Sequence, residues 1–171
     1  KKVQLPPIKI ALTGSGRVGK GAMEILTLLG IRQIDNHDFL HLYYEEPVFT
    51  LLSSEAINRR KSDGGFDREE FYTFPERYES HFLKYAEQAE LLIAAAYWNP
   101  GAPRLFELKD ISAADFSISV IADITCDLDG SIPTTRRATT ILDPVYDVDR
   151  GTGEELPPFS KQDSISVMAI D

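Results

Sequence analysis

IKIALTGSGRVGKGAMEILTLLG, residues 8–30, is the stretch whose reading decides the fold. Ile8 to Thr13 is a short apolar run of strand length, rich in β-branched residues. Gly14-Ser15-Gly16-Arg17-Val18-Gly19 then fits G-x-G-x-x-G without a mismatch. Beyond it Val18, Ala22, Ile25, Leu26 and Leu29 recur at helical spacing, with Gly30 as the stop. Strand, glycine turn and helix in this order predict a dinucleotide-binding βα unit. Gly14 permits the tight turn, Gly16 lets the backbone approach a pyrophosphate, and Gly19 lets helix and strand pack closely. The helix N-terminus offers its unpaired N–H groups to the phosphates. Ile31 to Asp35 reads as a second short strand. Asp35 follows Gly14 by 21 residues, the spacing at which an acid accepts hydrogen bonds from the adenosine ribose. Such an acid repels a 2′-phosphate and leans toward NAD, while Arg32 and His37 stand close enough to leave NADP open.

Working outward, 171 residues suit one domain with a real core. A formal charge of −9 argues against a nucleic-acid or anionic-membrane surface. No apolar run approaches the length of a membrane span. The single cysteine, Cys126, excludes an internal disulfide framework and leads to an expectation of a reducing, cytoplasmic setting. Lys1–Pro7 reads as a linker ahead of a domain over 8–171. The absence of an initiator methionine and the halt after a strand-like segment suggest a piece of a longer enzyme.

The residues after Asp35 turn helical in pattern. Phe39, Leu40, Leu42 and Tyr43, then Leu51, Leu52, Ala56 and Ile57, are spaced like one or two amphipathic helices. Asn58 to Gly65 is a basic, glycine-ended loop. Pro75 to Glu90 predicts a helix with Tyr78, Phe82, Tyr85 and Ala89 on one face, and Arg104 to Ile111 predicts another. Leu91 to Ala96 and Phe116 to Asp123 are continuous apolar runs, as buried parallel strands are. Ala138–Val148 and Ser164–Ile170 supply further extended segments. The whole predicts an α/β, Rossmann-like, doubly wound and mostly parallel sheet, with a long helical excursion between its second and third core strands.

Tyr97 and Trp98 follow the strand at 91–96, at the edge where open α/β sheets bind ligands. Asp123 and Thr125, after the next strand, form a polar wall suited to the nicotinamide ribose. Asp123, Asp127 and Asp129 superficially suggest a calcium loop, but no glutamate stands at the twelfth position, and no metal site is expected. Cys126 has no histidine near it in sequence, since His37, His41 and His81 all lie in the excursion. It reads as a small residue in a tight turn.

Together GSGRVGKGA (14–22), FPERY (74–78), AAYWNPGAPRL (95–105), IADITCDLDGSI (121–132), ATTILDPVYDVD (138–149) and ISVMAID (165–171) resemble the lysine–ketoglutarate reductase, or lysine-forming saccharopine dehydrogenase, family. More distantly the chain is similar to alanine dehydrogenase and the nucleotide-binding part of transhydrogenase. The resemblance implies a two-domain oxidoreductase that interconverts saccharopine with lysine and 2-oxoglutarate, using NAD or NADP. It implies that the catalytic lysine and histidine lie upstream in a partner domain of the same polypeptide, so no catalytic residue is assigned here. Gly14, Ser15, Gly16, Arg17, Val18 and Gly19 then belong at the cofactor phosphates and Asp35 at the adenosine ribose. Tyr97, Asp123 and Thr125 belong on the nicotinamide side. The alternatives are an alanine dehydrogenase-like enzyme and a non-catalytic NAD(H)-sensing module.

Overall fold

The computed structural model describes residues 5–170; the linker reading of Lys1–Pro7 and the terminal Asp171 therefore fall partly or wholly outside the described residues. The opening stretch folds as its pattern dictates. Strand β1 (Lys9–Thr13) runs into the glycine turn and helix α1 (Arg17–Leu28). Gly30 ends the helix with a φ of +80°, a conformation glycine adopts without Cβ strain.

Strand β2 (Arg32–Gln33) and helix α2 (Asn36–His41) follow. Next comes a strand the helical pattern concealed, β3 (Val48–Leu52). It pairs in parallel with β1 on one side and β2 on the other. The expected helix through Leu51 and Leu52 is thus corrected: Val48-Phe49-Thr50-Leu51-Leu52 is a buried strand, and helix α3 (Ser54–Ile57) is a single turn. The helical spacing of Leu51, Leu52, Ala56 and Ile57 arose by reading across a strand–helix boundary.

The excursion is also less helical than its pattern predicts. Strands β4 (Asn58–Arg60) and β5 (Tyr78–Ser80) form a separate antiparallel pair around helix α4 (Arg68–Thr73). The predicted helix over 75–90 is a 3₁₀ turn at Pro75–Arg77, then β5, then the short helix α5 (Leu83–Ala86). Tyr78, Phe82, Tyr85 and Ala89 are nevertheless all buried. The burial was legible; the element type was decided by pairing with β4. Likewise 104–111 holds only a 3₁₀ turn, at Leu108–Ser112.

The remaining strands are β6 (Leu91–Ala94), β7 (Val120–Asp123), β8 (Tyr146–Asp149), β9 (Glu155–Leu156) and β10 (Ser164–Ala169). They complete one sheet of order β2-β3-β1-β6-β7-β10-β8-β9. It is parallel from β2 through β10, with β8 and β9 added antiparallel at the edge. The mostly parallel Rossmann-like α/β arrangement is as expected.

The register separates the two faces. Ala11, Leu92, Ile121 and Val167 pack with Phe39, Phe82, Tyr85, Phe106 and Phe116 in the main core. Ile10 and Leu12 face the other way, onto Leu26 of α1. In register with them on that face lie Leu91 and Ile93, then Val120 and Ala122, then Ser166 and Met168. Helix α1 covers only the β1 end, and Val120 and Met168 are 40% and 36% exposed.

Candidate functional site

The chain leaves β1 for β3 and β2 on one side and for β6 and β7 on the other. The carboxyl ends of β1 and β6 therefore flank the point where strand order reverses, the place where open α/β sheets hold ligands. A cleft of about 510 Å³ opens there, lined by Gly14 to Val18, Ala95 to Tyr97, Ile124, Thr125 and Asp127, with Ser54, Arg68 and Tyr72 on its far wall.

The three motif glycines differ in what surrounds them. Gly14 has φ +92°, and a Cβ there would lie 2.6 Å from the Ala95 carbonyl oxygen. A Cβ on Gly19 would collide with the Gly14 carbonyl oxygen. These two glycines let turn, helix and β6 close against one another. A Cβ on Gly16 would meet nothing within 4 Å, and its φ of −75° suits any residue. Its bareness serves no contact within the chain and leaves a cradle open to the cleft. Gly16 also caps α1 without a side-chain hydrogen bond. The first N–H groups of that helix thus face the cleft with no side-chain acceptor. A pyrophosphate fits this donor set.

On the β6–β7 side, Tyr97 is 79% exposed at the cleft wall. Asp123 is buried and outside the lining. One of its oxygens accepts from the Thr125 N–H (3.1 Å), the Thr125 hydroxyl (2.7 Å) and the Cys126 N–H (3.1 Å). The other accepts from the Thr135 hydroxyl at 2.6 Å. With its acceptors so occupied, Asp123 shapes the turn that presents Thr125 and Asp127 to the cleft. Cys126 adopts φ +50° within this turn, and its thiol donates to the Ala169 carbonyl at 3.6 Å.

Asp35 lies away from the cleft. Because β3 sits between β1 and β2, the end of β2 is displaced by a full strand from the glycine turn. Asp35 caps α2 there, accepting from the Asp38 N–H at 2.8 Å. Arg32 is paired with Glu46 at 2.9 Å. His37 lies 4.7 Å from the His41 ring, centre to centre. Among the described residues, the potential metal ligands that converge within 4.8 Å are Asp35, His37 and Asp38, all on the surface, rather than the aspartates of 123–129.

The strand that does adjoin β1 ends at Leu52, whose carbonyl accepts from the Gly14 N–H at 3.1 Å. Ser53 caps α3 through the Ala56 N–H, as its residue type predicts. Ser54 lines the cleft, its hydroxyl 3.4 Å from the Tyr72 hydroxyl. Arg68 stands beside Tyr72, its guanidinium carbon 6.0 Å from the ring centre. As cleft residues, Ser54, Arg68 and Tyr72 escaped the sequence reading, which takes Ser53 and Ser54 for caps or turns. The signal was present in Val48–Leu52: read as a strand, that run puts Ser53 and Ser54 at a carboxyl end beside the glycine turn.

The FPERY segment, in contrast, is scaffold. Glu70 of α4 accepts from Arg60 Nε (2.7 Å), Arg77 Nη1 (3.0 Å) and the Tyr78 hydroxyl (2.9 Å). The Arg77 bond first, then that of Tyr78, holds the Glu70 carboxyl below its ordinary value. This network fastens α4, with Arg68 and Tyr72 on it, to the β4–β5 pair.

No family model matches the chain. Among curated proteins, it is similar to the alpha-aminoadipic semialdehyde synthase, mitochondrial, of Bos taurus, with 31% identity over 84% of this chain. It is 29% identical to the protein of that name from Mus musculus over 84% of its length. It is 26% identical to the alpha-aminoadipic semialdehyde synthase of Arabidopsis thaliana over 82%. The chain spans only 15–18% of the length of these relatives. The resemblance carried by the motifs is thereby shown for a segment of those proteins.

Proposed function

From that kinship we propose that the chain is the nicotinamide-dinucleotide-binding part of a saccharopine dehydrogenase/lysine–ketoglutarate reductase-type oxidoreductase. The observation that carries the reading is the bare Gly16 cradle at an uncapped helix N-terminus, at the switch point of a parallel sheet. When bound, the cofactor supplies the hydride carrier for a C–N bond. The chain's own part is positional. Gly14, Ser15, Gly16, Arg17, Val18 and Gly19 hold the phosphates. Tyr97 and Thr125 border the nicotinamide end, with Asp123 behind Thr125. No side chain of the cleft is assigned proton transfer, which falls to a partner domain of the same polypeptide. The half-covered α1 face supports such a partner, because parallel sheets are ordinarily buried on both sides.

The cofactor is NAD or NADP. Ser54 stands just past the end of the strand beside β1, where an acid would select NAD, and Arg68 of α4 lines the cleft with it, while Glu55 lines the adjoining recess. A hydroxyl and a guanidinium there favour a 2′-phosphate. Titration with NADH and NADPH, followed by nicotinamide fluorescence, tests this reading. NADPH is expected to bind at least tenfold tighter, and Arg68→Ala to remove most of the difference. Tighter NADH, weakened by Asp35→Ala, would return the ribose role to Asp35. Gly16→Val should abolish binding of both with an unchanged far-UV spectrum. Saccharopine oxidation by the chain alone, above a Gly16→Asp control, would overturn the division of labour between domains.

The alternatives follow from the same cleft. An alanine dehydrogenase-like enzyme would differ in substrate, and a sensing module would bind without chemistry. The extended excursion with Arg68 and Tyr72 favours an enzyme. Cys126 fits a reducing compartment; two relatives are named as mitochondrial, and fractionation of the tagged protein distinguishes that from the cytoplasm.

A further inference from the structure

Away from the dinucleotide cleft, two cavities of about 570 and 290 Å³ adjoin each other across a shared wall made by Arg59, His81 and Lys84. Arg104 stands on the smaller one. In a chain of formal charge −9, this is an unusual gathering of cationic side chains. Acids stand around it as well. Glu79 is paired with Arg59 at 2.8 Å. Glu107 and Asp110 cap each other's backbone in the 3₁₀ turn, and Glu107 comes only within 3.9 Å of Arg104. Glu55 lies on the larger cavity, toward Ser53.

Lys84 and His81 are in no ion pair among the described residues. Lys84 rests against the Tyr85 ring, 5.0 Å from its centre. The crowding registers in both groups. Burial, then Lys84 and Arg59, depresses the His81 imidazole, partly offset by Glu79. Burial, then Arg59, depresses the Lys84 ammonium. Of the three, Arg59 alone has a counter-charge, Glu79, and an entering anion supplies one to Lys84 and to a protonated His81.

We propose that Arg59, His81 and Lys84 form a binding site for a small dianion, a phosphate or a dicarboxylate, separate from the dinucleotide cleft. The β4–β5 pair carries Arg59, the segment leading into α5 carries His81, and α5 itself carries Lys84. The anion therefore bridges the excursion to the main core through Tyr85, and it takes hydrogen bonds from the guanidinium, the ammonium and the imidazolium it induces.

The chain has three histidines, so imidazole proton resonances report the site directly. Inorganic phosphate and, separately, succinate are titrated at constant ionic strength set with sodium chloride. A saturable shift confined to His81, with its pKa raised by half a unit or more, is expected from at least one of the two. The one that saturates at lower concentration identifies the class. Lys84→Gln and Arg59→Gln should each weaken it at least tenfold, and Gly16→Val should leave it intact, which separates this site from the phosphate cradle. A His81 response that is unsaturable, shared with His37 and His41, or unaltered by both charge-removing variants while the fold persists would overturn the proposal.

Discussion

At the scale of single residues, the glycine turn separates packing from ligand binding atom by atom. Gly14 needs a left-handed φ and the approach of Ala95, and Gly19 needs contact with Gly14. Gly14→Ala and Gly19→Ala should each cost about 2–4 kcal/mol in urea unfolding, from backbone strain and forced displacement. Gly16→Ala, in open space, should stay within about 0.5 kcal/mol while losing cofactor affinity. If all three variants unfold alike, the turn is purely structural. The same scale explains Asp123. Its residue type and place after a strand were legible as a polar wall. Of the four hydrogen bonds that turn it inward, three come from Thr125 and Cys126 beside it and the fourth from Thr135, twelve positions away. Arg150 makes a similar contribution, donating to the Ile111, Phe116 and Ile118 carbonyls. Arg150→Met should destabilise by about 2–4 kcal/mol, since three inward carbonyls lose their donor.

Among elements, the β4–β5 pair and α4 form a unit held by Glu70 and Tyr78. The Tyr78 hydroxyl accepts from the Asp67 N–H at 3.1 Å and bonds Glu70. Tyr78→Phe should cost about 1–3 kcal/mol and open the 58–80 segment to limited proteolysis before the main sheet. Because the folded-state pKa of Glu70 is depressed, its stabilisation is fully present above its ordinary value of 4.5 and is lost as pH falls below that value through the folded one. Glu70→Gln should therefore flatten the acid limb of the stability curve below about pH 4.5 and leave its neutral slope unchanged. An unchanged acid limb would show that the network contributes nothing. Periodicity revealed which of these residues face the core, because burial is what selects apolar side chains. It did not reveal helix against strand, because three-residue strands and single-turn helices are too short to show a period.

For the whole molecule, the unequal cover of the sheet has a consequence. One face is packed by aromatic residues of the excursion, while the α1 face leaves Val120 and Met168 partly exposed, and Leu28 of α1 is 76% exposed. Apolar surface of this kind marks an interaction face. The isolated chain should bind a hydrophobic dye such as ANS and show concentration-dependent association in gel filtration. Met168→Lys should reduce both with the secondary structure intact. Dye binding unaffected by Met168→Lys would place the sticky surface elsewhere.

What the sequence determined by itself was local: the β1–turn–α1 unit, the apolar runs at 91–96 and 116–123 that hold β6 and β7, and the parallel α/β class. All of these follow from side-chain chemistry read over a few neighbouring positions. What only the tertiary structure decided was strand order. The insertion of β3 between β1 and β2 moved Asp35 out of the cleft and brought Ser54, and through α4 Arg68, into it. Strand order depends on which edge of β1 is filled by distant segments burying their apolar faces, and no local spacing encodes that choice.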